Sequence, residues 1–176
     1  MKVMGVEHVG ITVPNIEEGT KFFVDAFGAE VIFTMLDEKN LPDWNPSAEV
    51  IGEWLGSAPG AYLGGLTMLR LGDSANIELF RYSGAEDDQR PAHRPSDIGV
   101  QHFCLRVDDI EAAAQKVVDA GGTLLHGPNE LVGDEAGDGN YFIYIHTPWG
   151  STIELIQIES PMAYEANTDM RRWLPE

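Results

Sequence analysis

Two histidines and two glutamates occupy matching positions in the two halves of this chain. His8 closes the run Gly-Val-Glu-His and His102 closes the run Gly-Val-Gln-His, while Glu78 and Glu154 each stand between an isoleucine and a leucine. Imidazole nitrogens and carboxylate oxygens bind divalent ions such as Zn, Ni, Co, Mn or Fe(II), and the ligand types alone do not select one of these metals. We interpret the four residues as ligands of one divalent metal ion.

The four residues belong to an internal repeat. At the spacing that separates the two histidines, Val13 matches Val107 and Gly28 matches Gly122. The Ile-Glu-Leu runs match at a shorter spacing, because the first copy contains additional residues. A repeat of this kind predicts two copies of one structural unit. A shared metal explains why both copies carry a histidine and a glutamate at equivalent places.

Hydrophobic periodicity predicts the same elements in each copy. A strand of alternating apolar residues precedes a helix, which begins after Asn15 in the first copy and after Asp109 in the second, and three further strands follow. The predicted fold class is α+β, with two tandem βαβββ modules forming a concave mixed sheet and helices on the outside. The predicted segments are residues 1–80 for the first module, 81–98 for a linker, 99–158 for the second module and 159–176 for a C-terminal arm.

Strand parity predicts where the candidate ligands point. Because side chains alternate between the two faces of a strand, His8 points away from Val9, and His102 points away from Phe103. By the same rule, each glutamate points away from its flanking isoleucine and leucine. Each module therefore offers one imidazole and one carboxylate on the face away from its core. Pairing of the modules about a pseudo-twofold axis would bring the four groups together.

An insertion around residues 37–62 distinguishes the first copy from the second. It contains three prolines and the tryptophans Trp44 and Trp54. Long loops inside compact domains are uncommon and are often functional. We expect a lid over a ligand, with a segment of no function as the alternative.

Composition limits the partners and the compartment. A formal charge of −18 disfavours nucleic acid and anionic membranes as partners. Charged residues interrupt the first apolar positions, so no signal peptide or membrane span is expected there. The single cysteine, Cys104, excludes an internal disulfide and is expected to be a buried thiol. We expect a cytoplasmic protein that binds a small molecule.

Three motifs carry a family resemblance: Val6-Glu7-His8-Val9-Gly10, Val100-Gln101-His102-Phe103, and the run Thr147-Pro148-Trp149-Gly150-Ser151-Thr152-Ile153-Glu154-Leu155. They resemble the vicinal oxygen chelate superfamily, which includes glyoxalase I, extradiol ring-cleaving dioxygenases and bleomycin-binding proteins. The resemblance implies that the two histidines and two glutamates hold the metal, and that two neighbouring substrate oxygens bind it. In glyoxalase I-like members the metal acidifies a C–H bond next to a carbonyl and a carboxylate moves the proton, a role for Glu78 or Glu154 here.

The resemblance leaves the reaction open. We expect a lyase or isomerase of the glyoxalase I-like type. An extradiol-type dioxygenase is the runner-up, because Tyr144 and the residues from Thr147 to Glu154 fit the later part of that signature. The acid–base histidine of the earlier part is missing from Gly133 to Tyr141. A non-catalytic drug-binding protein is the third class, and the four candidate ligands argue against it.

Basic residues are too few for an anionic substrate such as glutathione or coenzyme A, since the first helix and the following strand offer only Lys21. A smaller carbonyl compound fits better. We predict that Trp44, Trp54, Tyr144 and Trp149 line its pocket. Apolar residues in the C-terminal arm can wrap a partner or the chain itself, and a homodimer is expected.

Overall fold

The computed structural model describes residues 5–37, 39, 41–43, 45–100 and 102–175. The chain divides into two compact units, one of Met1–Val24 and Gly28–Arg90 and the other of Asp25–Phe27 and Pro91–Glu176. The predicted α+β class is confirmed, and the strands form two mixed sheets. No helix among the described residues is long and apolar enough to cross a membrane.

Within the described residues, the first module contains four strands and two α-helices. In chain order they are β1 His8–Thr12, α1 Ile16–Phe27, β2 Glu30–Asp37, α2 Ala48–Leu55, β3 Tyr62–Arg70 and β4 Asn76–Ser83. The sheet order is β1-β4-β3-β2, with β1 parallel to β4 and the other neighbours antiparallel. The two strands that carry His8 and Glu78 are therefore direct neighbours.

Local sequence signals set both ends of α1. The Asn15 side chain accepts a hydrogen bond from the Glu18 amide at 3.0 Å, and Gly28 ends the helix in the left-handed conformation with φ of 68°. The predicted start of the helix after Asn15 is confirmed, and glycine is the residue that most readily adopts the left-handed conformation at a helix end. The helix buries Phe22 and Phe23. Its burial fixes which face of the sheet is the core.

The insertion contains α2, although the sequence suggested a loop. The Ser47 hydroxyl accepts from the Val50 amide at 3.4 Å, and Gly56 ends the helix with φ of 68°. Ile51 is the buried residue of this helix. A helix of eight residues is too short to show a clear helical periodicity in a segment that also contains prolines. Its stability comes from packing rather than from intrinsic helix propensity.

The second module repeats the plan with shorter outer strands. Its elements are β5 Phe103–Arg106, α3 Ile110–Asp119, β6 Thr123–Leu124, β7 Asn129–Glu130, β8 Tyr141–His146 and β9 Thr152–Gln157. The sheet order is β5-β9-β8-β6, β7 also pairs with β8, and β5 runs parallel to β9. The Asp109 side chain caps α3 by accepting from the Ala112 amide at 2.9 Å. The strand β7 was not predicted, because a strand of two residues is too short to show an alternating pattern of apolar and polar residues.

Candidate metal centre

His8 and Glu78 form a close pair in the first module. Parallel pairing of β1 with β4 brings the two side chains to the same face, where His8 Nε2 lies 3.2 Å from Glu78 Oε2. On the other face of β4, Ile77 and Leu79 are buried. The predicted parity is thus confirmed for this module.

His102 and Glu154 form the equivalent pair in the second module. His102 immediately precedes β5, and Glu154 lies in the neighbouring strand β9. His102 Nε2 lies 3.0 Å from Glu154 Oε2, and the side chains are 22% and 14% exposed. Ile153 and Leu155, which flank the glutamate, are fully buried. Both modules therefore build the same imidazole–carboxylate pair by the same strand pairing.

The spacing within each pair suits metal binding. Two ligands at about 2.0–2.2 Å from one ion are roughly 3.0–3.4 Å apart when their directions differ by about 90–110°. The observed N–O distances, 3.2 Å in the first module and 3.0 Å in the second, both fall within that range. Within the described part of the chain, no group of three or more His, Cys, Asp or Glu side chains is gathered to hold a metal. Convergence of the two pairs on one ion therefore stays a prediction.

Glu7 orients the His8 ring. Its Oε2 lies 2.5 Å from His8 Nδ1, and its Oε1 accepts from Asn76 Nδ2 at 3.0 Å. The hydrogen bond to Glu7 is the largest cause that raises the pKa of His8, and the same bond lowers the pKa of Glu7. A proton held on Nδ1 leaves Nε2 as the lone-pair donor. This outer carboxylate is typical of metal-binding histidines, and sequence analysis did not assign it a role.

The Nδ1 atom of His102 has different surroundings from the Nδ1 atom of His8. His102 Nδ1 is buried, and no residue in the described ranges hydrogen-bonds it. Gln101, the repeat equivalent of Glu7, is not among the described residues.

Cys104 and Tyr144 flank Glu154 on the neighbouring strands. Register places Cys104 beside Glu154 in β5 and Tyr144 beside it in β8. Burial, followed by the charge of Glu154, raises the pKa of both side chains. The Tyr144 ring also meets the His102 ring edge to face, with centroids 5.1 Å apart. Tyr144 is thus a predicted pocket residue that lies directly at a candidate ligand pair.

The prediction of a buried Cys104 was wrong. The residue is exposed, because the register with Glu154 places it on the ligand-bearing face rather than on the core face. The thiol itself is sheltered, and burial followed by the charge of Glu154 raises the pKa of Cys104 to about 12. In the metal-free protein the group is therefore a protonated thiol at neutral pH.

The first module lacks these flanking donors. Gly10 and Met68 stand beside Glu78 in β1 and β3, where the second module has Cys104 and Tyr144. Neither side chain at the Gly10 or Met68 position can donate a conventional hydrogen bond. The two glutamates are equivalent in the repeat but differ in their surroundings.

The insertion packs on the ligand-bearing face of the first module. Ile51 of α2 clusters with Leu36, Leu63 and Leu66, and Phe80 packs against this cluster. Phe80 lies two residues beyond Glu78 in β4 and so faces the same side of the sheet. Nearby Tyr82 has a raised pKa, first through burial and then through the charge of Glu78. These contacts support the predicted lid, which stays a prediction.

The predicted tryptophans are placed differently. Trp54 lies on α2 and is 70% exposed. Trp149 is half-buried in the turn after β8, where the Gly150 amide donates to the Thr147 carbonyl at 2.9 Å. Trp44 lies outside the described residues. A role for these three residues in the pocket stays a prediction.

Comparison with known protein families shows to which superfamily the chain belongs. Residues 5–155 match the model of the Glyoxalase/Bleomycin resistance protein/Dioxygenase superfamily. The chain belongs to this superfamily. The predicted family is confirmed, and because one scaffold supports many reactions, membership alone does not choose the chemistry.

Individual relatives of this glyoxalase-superfamily chain include a protein named as an epimerase. A 2-epi-5-epi-valiolone epimerase from an Actinomyces species is 31% identical over 176 residues, covering 98% of this chain and 90% of the epimerase. Among solved structures, a glyoxalase family protein from Bacillus cereus has a TM-score of 0.68 at 18% identity, covering 89% of this chain and 95% of that one. A fosfomycin resistance protein from Listeria monocytogenes has a TM-score of 0.56 at 12% identity, covering 89% and 95%. At such identities the solved structures establish the fold alone.

Proposed function

We propose that this protein is a metal-dependent epimerase that inverts a carbon next to the carbonyl group of a small polyhydroxylated ketone. The observation that carries the proposal is the 31% identity to 2-epi-5-epi-valiolone epimerase over nearly the whole chain. A neutral, oxygen-rich ketone is also compatible with a chain of net charge −18 and eleven basic residues. Anionic carriers such as glutathione and coenzyme A fit this charge poorly.

Four residues would hold the metal ion of such an epimerase: His8, Glu78, His102 and Glu154. A divalent ion held there supplies a Lewis acid that polarises the substrate carbonyl and so acidifies the neighbouring C–H bond. The ligand types suit Zn, Ni, Co, Mn or Fe(II). Glu7 holds the His8 ring with Nε2 directed toward Glu78.

The two glutamates are proposed as the proton carriers. One carboxylate removes the proton from the carbon beside the carbonyl, and the electron pair of that C–H bond delocalises toward the carbonyl oxygen. The other glutamate, in its carboxylic acid form, gives its proton to the opposite face and becomes a carboxylate, which forms the new C–H bond and inverts the centre. No net oxidation occurs. We assign Glu78 and Glu154 to opposite faces of the substrate, because each module supplies one carboxylate.

Isotope exchange tests this function directly. The protein, loaded separately with each of the five metals, is incubated with 2-epi-5-epi-valiolone in deuterated water without oxygen. We expect a second epimer that carries deuterium at the inverted carbon, and no product from the Glu78→Gln, Glu154→Gln double variant. Absence of deuterium uptake with every metal would contradict the proposal. Oxygen consumption with a catechol would instead favour the dioxygenase class.

A further inference from the structure

The C-terminal arm packs on the ligand-bearing face of the second module. Met162 of the arm is buried in a cluster with Leu131 and Ile156, and Phe142 packs against it. Ile156 lies two residues beyond Glu154 in β9, and its register partner in β8 is Phe142. The arm therefore covers the row of side chains next to Glu154.

Backbone contacts fix the course of the arm. The Ala163 amide donates to the Ala136 carbonyl at 2.9 Å, which joins the arm to the turn that follows the 3-10 helix Gly133–Glu135. Arg106, on β5, donates through Nη1 to the Pro175 carbonyl at 2.8 Å and through Nη2 to the Ile158 carbonyl at 3.4 Å. Both the start and the end of the arm are thus tied to the second module.

Arg172 of the arm is held in one orientation. Its amide donates to the Tyr164 hydroxyl at 2.8 Å, and its guanidinium forms an ion pair with Glu135. Nη1 also lies 4.0 Å from the Met162 sulfur. A guanidinium carries five N–H donors in a planar fork, more than the contact with Glu135 uses.

The Arg172 side chain lies at the edge of the ligand-bearing face. It contacts Met162, which packs against Ile156 and Phe142. Ile156 and Phe142 are register partners, and they form the row of side chains next to Glu154 and Tyr144 on the same face of β9 and β8. The Arg172–Glu135 pair therefore lies next to the row of side chains that borders the second ligand pair.

The arm lies outside the part of the chain that defines the superfamily. The family model ends at residue 155, whereas the alignment with 2-epi-5-epi-valiolone epimerase covers 98% of the chain and so includes most of the arm. A segment that borders the site and extends beyond the common modules is well placed to distinguish substrates.

We propose that the C-terminal arm forms one wall of the substrate site and that Arg172 contacts the substrate, donating hydrogen bonds to an oxygen of the polyhydroxylated ketone. This proposal rests on the proposed epimerase function. Glu135 is a positioning residue that holds the guanidinium. The arm then selects substrates rich in hydroxyl groups, because a guanidinium without an oxygen acceptor would be left partly unsatisfied.

Substitutions in the full-length, metal-loaded protein test the contact. For Arg172→Gln we expect KM for 2-epi-5-epi-valiolone to rise roughly 10- to 100-fold, the loss expected for a hydrogen bond to a charged group, with kcat and metal content within about twofold. Arg172→Lys keeps the charge and should recover part of the loss. Arg171→Gln is the matched control, since Arg171 pairs with Glu165 in the same arm, and should leave KM unchanged. Equal KM values for Arg172→Gln and Arg171→Gln would overturn the proposal.

A double-mutant cycle of Arg172 and Glu135 distinguishes a direct contact between Arg172 and the substrate from an effect on the stability of the arm. Glu135→Gln should raise KM less than Arg172→Gln, and the double variant should match Arg172→Gln alone, because Glu135 acts only through the guanidinium. Hydrogen exchange of residues 159–175 in each variant reports whether the arm remains packed. Strictly additive effects on KM would contradict the positioning role of Glu135.

If 2-epi-5-epi-valiolone is not a substrate, the proposed epimerase function is refuted. A second measurement then tests the role of the arm by ligand binding instead of turnover. Acetohydroxamate, a small neutral molecule with two neighbouring oxygens, is titrated into the zinc-loaded protein while the fluorescence of Trp173, which is 72% exposed beside Arg172, is followed. Phe substitution of the other three tryptophans assigns the signal. We expect a saturable change that weakens at least fivefold in Arg172→Gln and not in Arg171→Gln. A titration unaffected by Arg172→Gln would refute the arm proposal independently.

Discussion

Phe80 and Ile156 occupy equivalent positions in the two modules, each two residues beyond a candidate ligand glutamate and on the same face of its strand. Phe80 packs on the cluster that contains Ile51 of the insertion, and Ile156 clusters with Met162 of the C-terminal arm. Two segments outside the repeat thus cover the same place in each module. Charges that border apolar clusters interact more strongly than charges in water, because the local dielectric is lower.

The four candidate ligands should share one ion. We expect the alanine variants of His8, Glu78, His102 and Glu154 each to bind metal less than one-tenth as tightly as the parent protein. The control is His126→Ala, because His126 is exposed and bonds only locally to Asn129 in the structure. Metal content after dialysis, measured by mass spectrometry, checks this. Full occupancy in Glu78→Ala would remove Glu78 from the centre and favour a three-ligand, dioxygenase-like arrangement.

Removal of the Glu7 carboxylate should weaken the metal centre without removing a ligand. In Glu7→Gln the His8 ring loses its charged partner at Nδ1, and we expect metal affinity to fall by about 10- to 100-fold. Glu17→Gln makes the same change of charge at an exposed residue that pairs with Lys39 and should leave affinity unchanged. Competition with a chromophoric chelator measures both variants. Identical affinities would show that Glu7 does not orient the ring.

Sequence patterns predicted the parts of the molecule that the repeat duplicates. The His8–Glu78 and His102–Glu154 pairs followed from strand parity together with the match between the two copies. The helix α2 and the contacts of Arg172 did not, because they depend on packing between segments distant in sequence that carry no duplicated signal. Cys104 was misjudged for a related reason: its residue type suggests burial, whereas its place in the strand decides which face it occupies.

The packing of α2 should contribute to the stability of the first module. Ile51→Ala removes a side chain that is 1% exposed and should lower the free energy of unfolding by about 2–4 kcal/mol. Trp54→Ala changes a larger but exposed residue of the same helix and should cost under about 0.5 kcal/mol. Urea denaturation of the metal-free variants compares them. A larger loss for Trp54→Ala than for Ile51→Ala would mean that α2 packs through its other face.

The Cys104 thiol should react slowly in the folded protein. A pKa of about 12, against roughly 8.5 for a free cysteine, means that the thiolate appears only at high pH and that its fraction at pH 8 falls on the order of a thousandfold. Iodoacetamide labelling, followed by mass spectrometry from pH 7 to 10.5, should rise through the whole range when the protein is folded. In urea the rate should level off above about pH 9.5. A plateau near pH 9 in the folded protein would contradict the raised pKa.

Tyr144 should affect only one direction of the proposed proton transfer. Tyr144 is the register partner of Glu154 in the neighbouring strand and carries a hydroxyl donor, whereas Met68 stands in the equivalent place beside Glu78 and cannot donate. If each glutamate serves one face of the substrate, Tyr144→Phe should slow deuterium uptake from the epimer that Glu154 deprotonates by about 5- to 10-fold, the typical value of one hydrogen bond.

Uptake from the other epimer should remain within about twofold in Tyr144→Phe if chemistry limits the rate, since Glu78 keeps its neighbours. Met68→Leu conserves volume at the equivalent position and should change neither rate. The measurement follows initial deuterium incorporation from each purified epimer separately in deuterated water. Equal slowing from both epimers would show that the Tyr144 hydroxyl affects the centre as a whole, and would contradict an assignment of one glutamate to each face.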